Sequence, residues 1–182
     1  PSSGKFTRPV CAMLDKLTSL PNRRAFEGEL EERIRTRADR PGGIAVLLVD
    51  LRDLKGINHT YGMAEAGNVL RYVAGRIRLA LRAEDRGFLS RLAGDEFALM
   101  LDLEEHYMSV VRLIAERVYN SVRGYRSRKT GLRIDISVYV GGHLMNDGDT
   151  VDTLYDSAAK NLEAAKEIVY HGLSVLPILI TD

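Results

Sequence analysis

Three acidic side chains sit where this chain would expose them: Asp50 after an apolar run, and Asp95 and Glu96 in a short turn. In RLAGDEFALML, Phe88, Leu89 and Leu92 precede the turn and Phe97, Leu99, Met100 and Leu101 follow it. Ala93-Gly94-Asp95-Glu96 therefore reads as a hairpin tip carrying adjacent carboxylates. The run Ile44 to Val49, bounded by glycines before it, reads as a buried strand whose terminal Asp50 faces a ligand crevice. Carboxylates from a strand end and a hairpin tip would together bind a hard divalent cation such as Mg2+, which prefers oxygen ligands and often accompanies phosphates. Lys55, just beyond the strand, would meet those phosphates.

The elements that must position these groups follow from periodicity. Asn22 caps a helix running through Ala25, Phe26, Leu30 and Ile34. Leu70, Val73, Ala74, Ile77 and Leu81 recur at helical spacing, which carries a second helix from the Gly62 region to Arg82. Tyr107, Val110, Val111, Ile114 and Val118 mark a third helix. Leu132, Ile134, Ile136, Val138 and Val140 alternate as a half-buried strand. Val151, Leu154, Tyr155, Ala158, Leu162 and Ala165 form the face of a further helix, and a final strand lies near Val175 to Ile180. The order helix, strand, helix, hairpin, helix, strand, helix, strand implies an α/β layer fold with helices packed on a largely antiparallel sheet.

Composition sets bounds on function. A chain of 182 residues with 45% apolar content builds one domain, and a formal net charge of +1 shows no overall nucleic-acid footprint. A nucleotide suits the Lys and Arg content better than a duplex. Cys11 stands alone, so no internal disulfide forms, and it reads as an inert side chain in a reducing cytoplasm. No apolar run reaches the length of a membrane span. Residues 1–14 read as an N-terminal linker and residues 15–182 as the domain, an excised module whose sensor or membrane segments lie elsewhere.

Four segments, DKLTSLPNRRAF (15–26), VDLRDLKGINHTYG (49–62), RAED (82–85) and RLAGDEF (91–97), occur in the order found in the GGDEF (diguanylate cyclase) domains, which this chain resembles with an AGDEF signature. The resemblance implies an adenylyl-cyclase-like palm, related to the ferredoxin-like plan, in bacterial signal transduction. It also implies a nucleotidyltransferase in which two GTP-loaded domains meet head to head and yield cyclic di-GMP and pyrophosphate. On the same basis Asp50, the Leu51 carbonyl and Asp95 would hold Mg2+ or Mn2+, and Asp95 and Glu96 would be the catalytic acids. Lys55 and Lys166 would touch phosphates, Asn58 would read the guanine edge, and Ala93 and Gly94 would let the backbone approach the phosphates. Arg82 and Asp85 would form the product-inhibition site. The implied partners are GTP, cyclic di-GMP, a second copy of the domain, and an attached or separate phosphodiesterase or sensor domain.

The chain also departs from the family pattern. Ala66 and Gly67 stand where the family has a Gly and a guanine-reading Asp, Arg52 where the second acid of DLD lies, and Leu54 where a Phe precedes the Lys. Leu173 occupies the place of a phosphate-binding Arg, and the spacer between Asp85 and Ala93 is longer than usual. A hydrogen bond to a charged group is worth about 1.5–3 kcal/mol, so losing the guanine acid and the Arg weakens GTP use roughly a hundredfold or more. The expectation is cyclic di-GMP signalling machinery with weak or lost cyclase activity. The alternatives are an active cyclase and a non-catalytic module that binds GTP or cyclic di-GMP and regulates a larger protein.

Overall fold

The computed structural model describes residues 13–37, 42–104, 108–170 and 176–182. Cys11, Tyr107, Leu173 and Val175 lie outside the described residues. The first helix, α1 (Arg23–Arg37), begins as expected: the Asn22 side-chain oxygen accepts from the Ala25 amide at 3.1 Å, and Ala25, Phe26 and Leu30 are buried. Strand β1 (Gly43–Leu51) is buried nearly throughout because it is central. Its even-numbered Ile44, Val46 and Leu48 join one apolar cluster with Phe26, Leu30, Leu154 and Leu162. Its odd-numbered Ala45, Leu47, Val49 and Leu51 join the other, with Val69, Val73, Ile114 and Val118. A strand covered on both faces has no polar positions to alternate, which is why the run is continuous.

After β1 the chain makes a helix that the periodicity does not announce, α2 (Leu54–Tyr61), whose only buried residue is Ile57. Asp53, in a left-handed conformation, caps it by accepting from the Gly56 amide at 3.0 Å. Gly62, at φ 88°, then turns the chain into α3 (Met63–Ala80), which buries the expected Leu70, Val73, Ala74 and Ile77. A 3-10 turn (Ala83–Asp85) leads into the hairpin β2 (Phe88–Ala93) and β3 (Glu96–Leu103). Next come α4 (Met108–Ser121), β4 (Val138–Leu144), α5 (Val151–Tyr170) and β5 (Ile178–Thr181). The sheet runs β2-β3-β1-β4-β5, antiparallel except for the β4–β5 pair, which is parallel.

Two expectations need correction. Val110 is 37% exposed, so the apolar face of α4 is Val111, Ile114, Ala115 and Val118. The strand expected from Leu132 starts instead at Val138. The Ser127 amide donates to the Leu132 carbonyl and the Ile134 amide to the Tyr125 carbonyl, so this segment folds back on residues 125–127 before it reaches the sheet. Ile134 and Ile136 stay buried under that fold-back, which is where the alternation comes from, while Leu132 is exposed. Beyond Val140, β4 runs through Gly141 and Gly142. A Cβ on Gly141 would meet the Leu162 amide nitrogen at 2.1 Å, so glycine is what lets α5 lie against the strand. Among the described residues, no helix is long and apolar enough to cross a membrane.

Candidate functional site

The β1 end and the β2–β3 tip meet through sheet register. Asp50 lies opposite Glu96, and the Leu51 amide donates to the Asp95 carbonyl at 3.0 Å. The tip is a two-residue turn, Gly94-Asp95, with Gly94 at φ 46°. It is braced from behind: Arg91 donates to the Gly94 carbonyl through Nη2 at 2.7 Å and Nε at 3.0 Å, and its Nη1 reaches the Asp15 carboxylate at 3.0 Å. Asp15 also accepts from the Thr18 amide at 2.8 Å and hydroxyl at 2.7 Å. Burial alone would raise the Asp15 pKa, but these hydrogen bonds and the Arg91 charge hold it below the ordinary value.

Asp50 is the most perturbed acid here. Its Oδ2 is 2.5 Å from the Lys166 ammonium, while its buried Oδ1 has no hydrogen-bond partner. Burial, reinforced by the neighbouring Asp95, outweighs the Lys166 charge and pushes the Asp50 carboxyl up to about 6. For Lys166, burial would lower the pKa, but contact with Asp50 and Glu163, the latter at 2.8 Å, raises it. An unsatisfied buried carboxylate oxygen facing a second carboxylate suits a hard cation. Among the described residues no three His, Cys, Asp or Glu side chains form a metal cluster. The donor set present, two neighbouring carboxylates with one unsatisfied buried oxygen, is of the kind that Mg2+ accepts, since that ion uses one or two carboxylates and completes its shell with phosphate and water.

On the α2 and α3 side of the tip lies a cleft of about 540 Å³. Lys55, Asn58, Gly94 and Asp95 line it, together with Leu54 and Gly67. The structure thus gathers four of the expected site residues into one cleft. Asp50, Glu96 and Lys166 are not among its lining residues; Asp50 and Glu96 face each other across the β1–β3 pair, and Lys166 reaches Asp50 from α5. Ala93 is exposed at the end of β2 and does not line the cleft, and the Leu51 side chain is buried. Arg52, the departure beside the acids, is exposed and its amide donates to the Ser137 carbonyl at 2.9 Å.

Glu96 has partners that no sequence reading supplied. The Tyr155 hydroxyl donates to its Oε1 at 2.9 Å, and Arg23, with its guanidinium 5.3 Å from the Tyr155 ring centroid, donates to that hydroxyl at 3.4 Å. Arg23 lay in a recognised segment without a role. Tyr155 fell on the apolar face of α5 and read as core. Arg82 and Asp85 lie at the end of the hairpin opposite the tip, just before β2. Asp85 is 6% exposed, accepts from the Arg82 amide at 2.7 Å and pairs with Arg117 of α4, while the Arg82 side chain is exposed.

The family description "Diguanylate cyclase, GGDEF domain" matches residues 12–169. The diguanylate cyclase TpbB of Pseudomonas aeruginosa is 35% identical over 153 residues, which cover 84% of this chain and 34% of TpbB. The bifunctional diguanylate cyclase/cyclic di-GMP phosphodiesterase MucR of the same species is 32% identical over 157 residues, covering 86% of this chain and 22% of MucR. The chain thus spans about one third or less of the length of these relatives. Among solved structures, the GGDEF domain of TpbB superposes with a TM-score of 0.81 at 31% identity, covering 93% of this chain and 94% of that one. The GGDEF domain of DgcB from Caulobacter crescentus, in complex with c-di-GMP, superposes with a TM-score of 0.81 at 27% identity, covering 93% and 95%. With the family description matching residues 12–169 and the same fold in these GGDEF domains, the chain belongs to the GGDEF domain family.

Proposed function

We propose that the domain binds GTP in the cleft beside the β2–β3 tip and, in a head-to-head pair of domains, joins two GTP into cyclic di-GMP slowly or not at all. The observation that carries this reading is the meeting of Asp50, with its unsatisfied Oδ1, and the Asp95-Glu96 tip beside a cleft lined by Asp95, Lys55 and Asn58. Asp50, Asp95 and the Leu51 carbonyl would hold Mg2+ or Mn2+, which when bound neutralises phosphate charge and polarises the α-phosphorus. Lys55 and Lys166 hold the phosphates, with Lys166 leaving Asp50 to do so. The open space at Gly94 lets the backbone come close to them. Asn58 faces the base. Glu96, oriented by Tyr155, takes the proton of the attacking 3′-hydroxyl as its oxygen bonds to the α-phosphorus of the opposite GTP and pyrophosphate leaves.

What slows the reaction is base recognition. Gly67 lines the cleft at the position where the resemblance puts an acid, so the N–H groups of guanine lose an acceptor there. The same loss supports the second reading, a module that binds nucleotide without turning it over and regulates neighbouring phosphodiesterase or sensor domains in the cytoplasm. At the RAED segment, Asp85 is committed to Arg117, so product binding would rest on the exposed Arg82. Calorimetric titration with GTP and Mg2+ tests the cleft. Binding is expected in the parent and should be lost in Asp95→Asn, whereas equal binding in both would remove the site from the tip.

A further inference from the structure

A second cavity, of about 580 Å³, lies on another side of α3. Asn68, Arg71 and Tyr72 line it from the helix, and Tyr125, Arg126 and Arg128 from the fold-back before β4. Its volume falls within the roughly 300–1,000 Å³ typical of ligand pockets. No acidic side chain lines it among the described residues, and the sequence has none between Glu116 and Asp135, a stretch that contains Arg117, Arg123, Arg126, Arg128, Lys129 and Arg133. For a chain of net charge +1 this is a local excess of cations created by placement.

The cavity is built ahead of any ligand. Tyr125 donates its hydroxyl to the buried Glu65, and its ring stands edge-on to Tyr72 with centroids 5.0 Å apart. Arg71 is held by the Leu17 carbonyl at 3.2 Å and Asn68 at 3.1 Å, and Arg126 by the Gly131 carbonyl at 2.6 Å. Arg128 lines the same wall as Arg126. Each guanidinium has five N–H donors, so Arg71 and Arg126 keep several free after these bonds. Three like charges around one cavity repel one another until an anion enters, and planar forks suit phosphate oxygens.

We propose that this cavity is a second anion site, distinct from the cleft at the β2–β3 tip, that takes the diphosphate group of pyrophosphate or of a nucleoside diphosphate. The proposal does not depend on the cyclase reading, because neither the acids of the tip nor a metal contributes to it.

The test is calorimetric titration of the whole chain in chelator, without divalent metal, using pyrophosphate and GDP as separate probes. Pyrophosphate should bind the parent, bind at least about tenfold more weakly to Arg126→Ala/Arg128→Ala, and bind Lys55→Ala as it binds the parent. Arg128→Glu alone, at an exposed position, should show the same loss and serves if the double variant melts early. Tighter binding of GDP than of pyrophosphate would assign the nucleotide as ligand, with the tyrosines against its base; equal binding would assign the diphosphate alone. The proposal is overturned if neither probe binds at millimolar concentration. It is also overturned if binding survives both arginine variants or disappears in Lys55→Ala.

Discussion

Gly67 is the residue at which one added side chain tests base recognition. A Cβ there would stand 3.5 Å from Leu17 Cδ1 and 3.9 Å from Arg71 Nη1, ordinary contacts, and the residue lies inside α3, where no left-handed angle excludes a side chain. Gly67→Asp should therefore fold normally and raise the preference for GTP over ATP by about tenfold in competitive titrations, since discrimination rests on pairing the polar edge of the base. A folded variant with no gain would mean that the new carboxylate pairs with Arg71 and leaves the base unread. At the other end of the hairpin, Asp85→Ala strands the partly buried Arg117 and removes the cap on the Arg82 amide. Thermal melting should show a loss of about 2–4 kcal/mol. Arg82→Ala, at a side chain 63% exposed, should leave melting nearly unchanged, so it is the variant with which cyclic di-GMP binding can be tested cleanly.

Among the elements, the β2–β3 hairpin depends on Asp15, far away in sequence, acting through Arg91 on the Gly94 carbonyl. The Asp15 pKa is lowered on folding. Its contribution to stability is therefore full above the unfolded value, near 3.8, and fades as pH falls through the lower folded value. Melting temperatures followed through that acidic window should fall less steeply for Asp15→Asn than for the parent, with the variant already less stable at neutral pH; parallel curves would show that the brace does not form. Where α5 crosses β4, Gly141→Ala would drive a methyl group into the Leu162 backbone and should cost about 3 kcal/mol or more, again read by melting. The elements legible in the sequence were those whose burial is one-sided or complete: α1, α3, α4, α5, β1 and the hairpin. Helix α2 escaped because it buries Ile57 alone and so has no stripe to read. The early part of the expected strand misled because an irregular fold-back over the core alternates just as a strand does.

For the whole molecule, five strands with helices on both faces bring Asp15, Asp50, Asp95 and Lys166 to one end of the strands, and the pairing of Asp50 with the hairpin tip was legible because each acid adjoins an apolar run. The hold of Tyr155 on Glu96 was not, because a tyrosine at a helix-face position looks the same whether its hydroxyl meets an acid or solvent. Nor was the burial that raises the Asp50 pKa, or the contact with Lys166 of α5 that opposes it. The proposed function has the metal-side acids in place while recognition of the base is incomplete. It is tested most directly by incubating the protein with GTP and Mg2+ and measuring cyclic di-GMP by chromatography, with the TpbB GGDEF domain assayed in parallel. The predicted rate is roughly a hundredfold or more below that of the TpbB domain, with any product abolished by Asp95→Asn and by Glu96→Gln. Conversion at a rate within tenfold of the TpbB domain, or product retained in both variants, would contradict it.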